Sequence, residues 1–113
     1  MLARTSNPEG APIQLAGGGD ASVAQRVVDT VAALNETADH AVGLVVGGTH
    51  ADLGCRLDAF NASILVPGIG AQGGTIEGLR ATFGAAVRHV LPTASREVIG
   101  GGRSALSGRL DSL

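Results

Sequence analysis

Residues 66–75 read Val66-Pro67-Gly68-Ile69-Gly70-Ala71-Gln72-Gly73-Gly74-Thr75 and follow directly on the apolar run Ser63-Ile64-Leu65-Val66. The order implied is strand, glycine-rich turn, helix start. Such a turn lets backbone N–H groups crowd around an anion, and a helix N-terminus adds partial positive charge. The chemistry to expect is therefore the binding of a phosphorylated ligand. Gln72 is the polar side chain of the turn and a candidate contact. Arg96, in Ser95-Arg96-Glu97 just past the next strand, is the matching charge. One strand further on in a parallel sheet lies on the same rim, where a guanidinium can grip a phosphate through two hydrogen bonds. The bland alternatives are a purely structural turn and a surface Arg96 paired with Glu97. Gly68-x-Gly70-x-x-Gly73 also matches the dinucleotide fingerprint, which requires an acid about 20 positions on to hold the ribose. The next strand instead runs into Leu91-Pro92-Thr93-Ala94-Ser95, with no acid.

Other reactive groups are sparse. All eight basic residues are arginine and none is lysine, which limits the chemistry the chain can do unaided. His40 and His89 read as flanking residues. His50 follows Val46-Gly47-Gly48-Thr49 and is expected to face the same rim as Gln72 and Arg96. No His/Cys cluster points to a metal, so no metal is expected. Cys55 is the sole cysteine; it excludes an internal disulfide, reads as a packing residue and fits a reducing, cytoplasmic setting. No G-x-S-x-G elbow accompanies the serines.

The elements that must position these groups follow from periodicity. Strands are expected over 1–5, 41–47, 63–67 and 87–91, the last stopped by Pro92. Helices are expected over 23–34, with Val23, Val27, Val28, Val31 and Leu34 as the buried face, and over 51–60, 75–86 and 104–113. Asp20 or Ser22 is the expected N-cap of the first helix. Continuous apolar strands alternating with helices imply βαβ units and a parallel α/β sheet. A (β/α)8 barrel takes roughly 250 residues, so 113 residues and about four βα units amount to close to half a barrel. With a net charge of −2 and only two aromatic residues, neither nucleic acid nor an anionic membrane is an expected partner. No apolar run reaches the length of a membrane span, and Met1-Leu2-Ala3-Arg4 does not begin a signal peptide.

Taken together, Thr5-Ser6-Asn7-Pro8-Glu9-Gly10, Gly43-Leu44-Val45-Val46-Gly47, Pro67-Gly68-Ile69-Gly70-Ala71-Gln72-Gly73-Gly74 and Ser95-Arg96-Glu97-Val98 resemble the orotidine 5′-phosphate decarboxylase family, in its longer bacterial form. The resemblance covers nearly the whole chain. It implies that residues 1–113 form one partial TIM-barrel domain, the C-terminal half, with strands five to eight. It also implies cofactor-free decarboxylation of orotidine 5′-phosphate to UMP by a homodimeric parent. Ser6 is then expected to bond the pyrimidine edge, and Pro67 to line the apolar wall near the base. Gln72 is expected to bridge toward the phosphate and Arg96 to bind it, helped by N–H groups near Gly73 and Ser95. The family's Asp-x-Lys-x-x-Asp constellation is missing, so no catalytic residue is expected here and the chain alone should be inactive. Two other readings stand beside it: a sugar-phosphate isomerase or epimerase barrel, for which only Glu9 and His50 are acid/base candidates, and a non-catalytic phosphate-ligand module. An open half barrel is further expected to self-associate.

Overall fold

A computed structural model describes residues 1–70 and 72–112; Ala71 of the glycine turn and Leu113 of the expected last helix lie outside it. In chain order the elements are strand β1 (Leu2–Arg4), helix α1 (Ala11–Gln14), helix α2 (Val23–Asn35), strands β2 (Leu44–Val46) and β3 (Ile64–Pro67), helix α3 (Ile76–Phe83), strand β4 (Val90–Thr93), and helices α4 (Arg96–Ile99) and α5 (Leu106–Asp111). Short 3-10 turns join several of them. The four strands form one parallel sheet in the order β1-β2-β3-β4. The expected α/β half barrel of four parallel strands is what the chain forms.

Parallel neighbours in chain order need crossovers of one hand, and these deliver the connecting segments to one face of the sheet. Burial follows that rule. Ala3, Leu44, Val46, Ile64 and Val66 are all but inaccessible, packed with Val28 and Val31 of α2, Leu79 and Phe83 of α3, and Leu53, Leu57 and Phe60 of the β2–β3 connection. The molecule measures 46 × 32 × 21 Å, with a radius of gyration of 15.0 Å. A closed domain of this length has about 13 Å, so the extra extension is that of an open, two-layer slab.

Several expectations need correction. Residues 51–60 are not helical but a series of turns. Gly54 adopts φ +66°, and its N–H is taken by the Asp52 carboxylate at 2.9 Å; a glycine and a local side-chain acceptor both compete with helix formation. Leu53, Leu57 and Phe60 are nonetheless buried as their spacing suggested. The buried face of α2 is also rotated. Val23 and Leu34 are exposed, whereas Ala24, Gln25, Val28, Val31 and Asn35 face the core. Gln25 is admitted because its side chain bonds the Arg56 N–H and carbonyl and the Asp29 carboxylate. The helix 75–86 stops at Phe83, before Gly84 at φ +50°, and residues 84–89 form a 3-10 turn. Strand β4 therefore starts later and runs through Pro92. It is an edge strand, where proline's missing N–H is tolerated. Residues 103–105 of the expected last helix are a 3-10 turn. As expected, Ser22 caps α2, its Oγ accepting from the Gln25 N–H at 3.1 Å.

Asn35 is the polar anchor of the core. Its amide donates to the Val42 carbonyl at 2.9 Å and to Asn61 Oδ1 at 3.3 Å, while its oxygen accepts the Val42 N–H at 3.0 Å. This clasp ties the end of α2 to the lead-in of β2. Replacing Asn35 by alanine strands both backbone groups of Val42, each costing about 1–3 kcal/mol when left unpaired. Urea unfolding is expected to show a loss of about 2–4 kcal/mol for Asn35→Ala, against less than about 0.5 for Thr37→Ala, an exposed control. A loss under about 1 kcal/mol for Asn35→Ala would mean that the clasp does not hold the two elements.

Candidate functional site

The C-terminal ends of all four parallel strands lie at one rim, the side on which open and closed α/β sheets bind ligands. Ser6 follows β1, Thr49 and His50 follow β2, the glycine turn follows β3, and Ser95 and Arg96 follow β4. The ladder pairs Pro67 with Thr93, so the last residues of β3 and β4 stand side by side. Between them opens a cavity of about 150 Å³ lined by Pro67, Gly68, Ile69, Gln72, Thr93, Ser95 and Arg96.

The turn is built by backbone hydrogen bonds. Gly70 N–H donates to the Gly74 carbonyl at 2.9 Å, Gly73 N–H to Gly70 at 2.7 Å and Gly74 N–H to Gly68 at 3.0 Å. Gly68 sits at φ +104°, and a Cβ there would lie 2.9 Å from Gln72 Oε1 and 3.1 Å from Thr49 Cγ2. The missing side chain is therefore what lets Gln72 fold back over the turn. Across the rim, Ser6 Oγ donates to Gln72 Oε1 at 3.5 Å. A Cβ on Gly47 would meet the Ser6 backbone at 2.7 Å, so that glycine lets β2 approach closely enough to bring Ser6 in.

Of the residues expected at the site, Pro67, Gln72, Ser95 and Arg96 line one cavity, and Ser6 reaches it through Gln72. Gly73 does not line it, and its N–H is spent inside the turn. The N–H groups of Ser95 and Arg96, at the start of α4, precede the first carbonyl-bonded N–H of the helix, that of Val98, and both residues line the cavity. The structural alternative for Arg96 fails: among the described residues the one ion pair is Arg56–Asp20 at 3.3 Å, and Glu97 instead packs its methylenes on Gly70. Arg96 is exposed at the mouth.

Thr93 also lines the cavity, although Pro92 reads in sequence as a strand stop; the alternation through Leu91 and Thr93 is the signal that points to it. His50 is held apart, one ring nitrogen bonding the Thr5 carbonyl at 2.7 Å. That nitrogen must carry the proton, and the contact secures the loop bearing Ser6. Cys55 is half-buried, and burial pushes its thiol up to about 11, with Arg4 opposing and Asp52 adding to the rise. No group of His, Cys, Asp and Glu suited to a metal occurs among the described residues. There, too, no helix is long and apolar enough to cross a membrane.

Two outcomes follow from this geometry. Gly68→Ala imposes both an unfavourable φ and a clash with Gln72, for an expected loss of about 1–3 kcal/mol in unfolding free energy. Gly73→Ala, at φ +92° in open space, isolates the backbone component; equal losses for the two would show that the Gln72 contact contributes nothing. For Cys55, the higher pKa leaves about 100-fold less thiolate at pH 8 than in the unfolded chain. Alkylation in native buffer is expected to be slower by that order than in denaturant, and equal rates would contradict the burial.

No family model matches the chain. It is 49% identical over 105 residues to the orotidine 5′-phosphate decarboxylase of Salinispora tropica, a match covering 90% of the chain and 38% of the relative. The orotidine 5′-phosphate decarboxylase of Salinispora arenicola matches to the same extent. Among solved structures, one from Streptomyces avermitilis assigned to orotidine 5′-phosphate decarboxylase superposes with a TM-score of 0.74 at 38% identity, over 98% of this chain and 41% of that one. Leishmania donovani UMP synthase does so with a TM-score of 0.74 at 28% identity, over 98% of this chain and 25% of that one. Over nearly its whole length the chain is thus similar to orotidine 5′-phosphate decarboxylases, of which it spans about two fifths.

Proposed function

We propose that the chain is the substrate-holding half of an orotidine 5′-phosphate decarboxylase, strands five to eight of the barrel, binding the 5′-phosphate and part of the pyrimidine without performing the chemistry. The observation that carries this reading is the convergence of Pro67, Gln72, Ser95 and Arg96 on one small cavity, with Ser6 linked to Gln72. Its volume is about 150 Å³. Pockets for whole ligands run to about 300–1,000 Å³. The cavity suits one end of a nucleotide, and the charge beside it suits the phosphate end.

In this reading the Arg96 guanidinium takes two phosphate oxygens, and N–H groups at Ser95 and Arg96 supply further donors. Gln72 spans from the phosphate to Ser6, whose hydroxyl serves the pyrimidine edge, and Pro67 keeps the wall beside the base apolar. Contacts on the phosphate act far from the carbon that would lose CO2. Such remote binding energy lowers a barrier only when reacting groups elsewhere can use it. The residue expected to stabilise and protonate the ring carbanion is a lysine, and the chain has none. Holding without turnover is the consequence.

Isothermal titration of the 113-residue chain with UMP, alongside a decarboxylation assay, tests the reading. Binding of UMP in preference to simple sugar phosphates is expected, with no turnover of orotidine 5′-phosphate. Arg96→Ala should weaken UMP by about 10- to 150-fold, since a hydrogen bond to a charged group contributes about 1.5–3 kcal/mol. Measurable decarboxylation, or UMP affinity indifferent to Arg96, would overturn it.

A further inference from the structure

The sheet has a second face that no element among the described residues covers. Its residues fall in a single register row: Leu2 pairs with Val45, Val45 with Leu65, and Leu65 with Leu91. Leu2 is 65% exposed, Leu65 41% and Leu91 52%. No charged side chain interrupts the row. The two outer strands, β1 and β4, each present an unpaired edge. An apolar face with two open edges is a surface that natural sheets cover or close.

We propose that this face is closed by a second copy of the chain, about a two-fold axis parallel to the strands, so that β4 of each copy pairs with β1 of the other. Three observations favour a copy of the same chain as the occupant. A two-fold along the strand direction keeps every strand parallel, so both new ladders have the same sense as the ones already present. Two identical β4–β1 contacts related by that axis close on themselves and leave no edge. Four strands and four strands make eight, the number at which inward side chains fill a parallel barrel. The uncharged rows can then meet without like-charge repulsion. The inference rests on the sheet and not on the decarboxylase reading. Closure about this axis would also set both cavities at Arg96 on the same rim, two anion sites to each closed barrel.

Sedimentation velocity on the 113-residue chain, with hydrogen exchange read at the amides of β1 and β4, tests this. The expected species has twice the 11.2 kDa chain mass, with both edge strands protected. Leu65→Glu and Leu91→Glu, each on the uncovered face, should return it to a monomer that keeps its far-UV circular dichroism and loses edge protection. Should either variant unfold, exchange in the unaltered chain still decides the matter. A monomer with open edges, a dimer whose edges exchange freely, or an open-ended series of larger oligomers would each overturn the proposal. So would a chain that stays monomeric until the unmatched three fifths of the Salinispora tropica relative is added. Loss of UMP binding with the dimer intact would instead count against the ligand reading alone.

Discussion

Parallel strand order is the constraint on which the rest of the structure depends. Strands laid side by side in chain order, all pointing one way, require a crossover after each. Crossovers of one hand send α2, α3 and the β2–β3 connection to the same face and bring every strand's C-terminal end to one rim. The core is therefore one-sided, from Ala3 through Val46, Ile64 and Val66 to Phe60 and Phe83. The loops bearing Ser6, His50, the glycine turn and Arg96 are gathered from distant parts of the sequence for the same reason.

Within that frame the polar groups of the interior do positional work. Asn35 clasps Val42 before β2 begins, and Gln25 clasps Arg56 across the irregular connection. Each replaces backbone pairing that a turn segment lacks. At the rim, Gly47 and Gly68 act by absence: the first lets β2 approach Ser6 and the second lets Gln72 fold over the turn. The reading that the rim grips a nucleotide phosphate is supported by this convergence of separately positioned groups. A lone Arg96 on a surface helix would not carry it.

Much of this was legible in the residues. The four strands, α2, α3 and the glycine turn follow from apolar runs, helical spacing and turn formers, because these are local signals with a fixed period. The apolar set of the 51–60 segment was also legible, since Leu53, Leu57 and Phe60 are buried in any case. Its backbone was not. Spacing of apolar residues reports which side chains face inward, and a string of turns can meet the same pattern as a helix when Gly54 and Asp52 favour turns. The rotation of α2 was hidden for a related reason: Gln25 and Asn35 count as polar in sequence and become core residues only when partners from other elements satisfy them.

The sequence by itself determined the alternation of strands and helices, the glycine-rich turn between a strand and a helix start, and the absence of lysine, all of which are matters of residue type and local period. The tertiary structure alone decided which donors remain available, spending the Gly73 N–H within the turn while leaving Arg96 without a carboxylate partner among the described residues. It also decided that Thr93 belongs to the cavity and that Leu2, Leu65 and Leu91 stand exposed on one face of the sheet. The physical reason is common to these cases. Whether a group is paired, lined up or buried depends on what lies across the sheet from it, and register between strands is set by packing that no single segment contains.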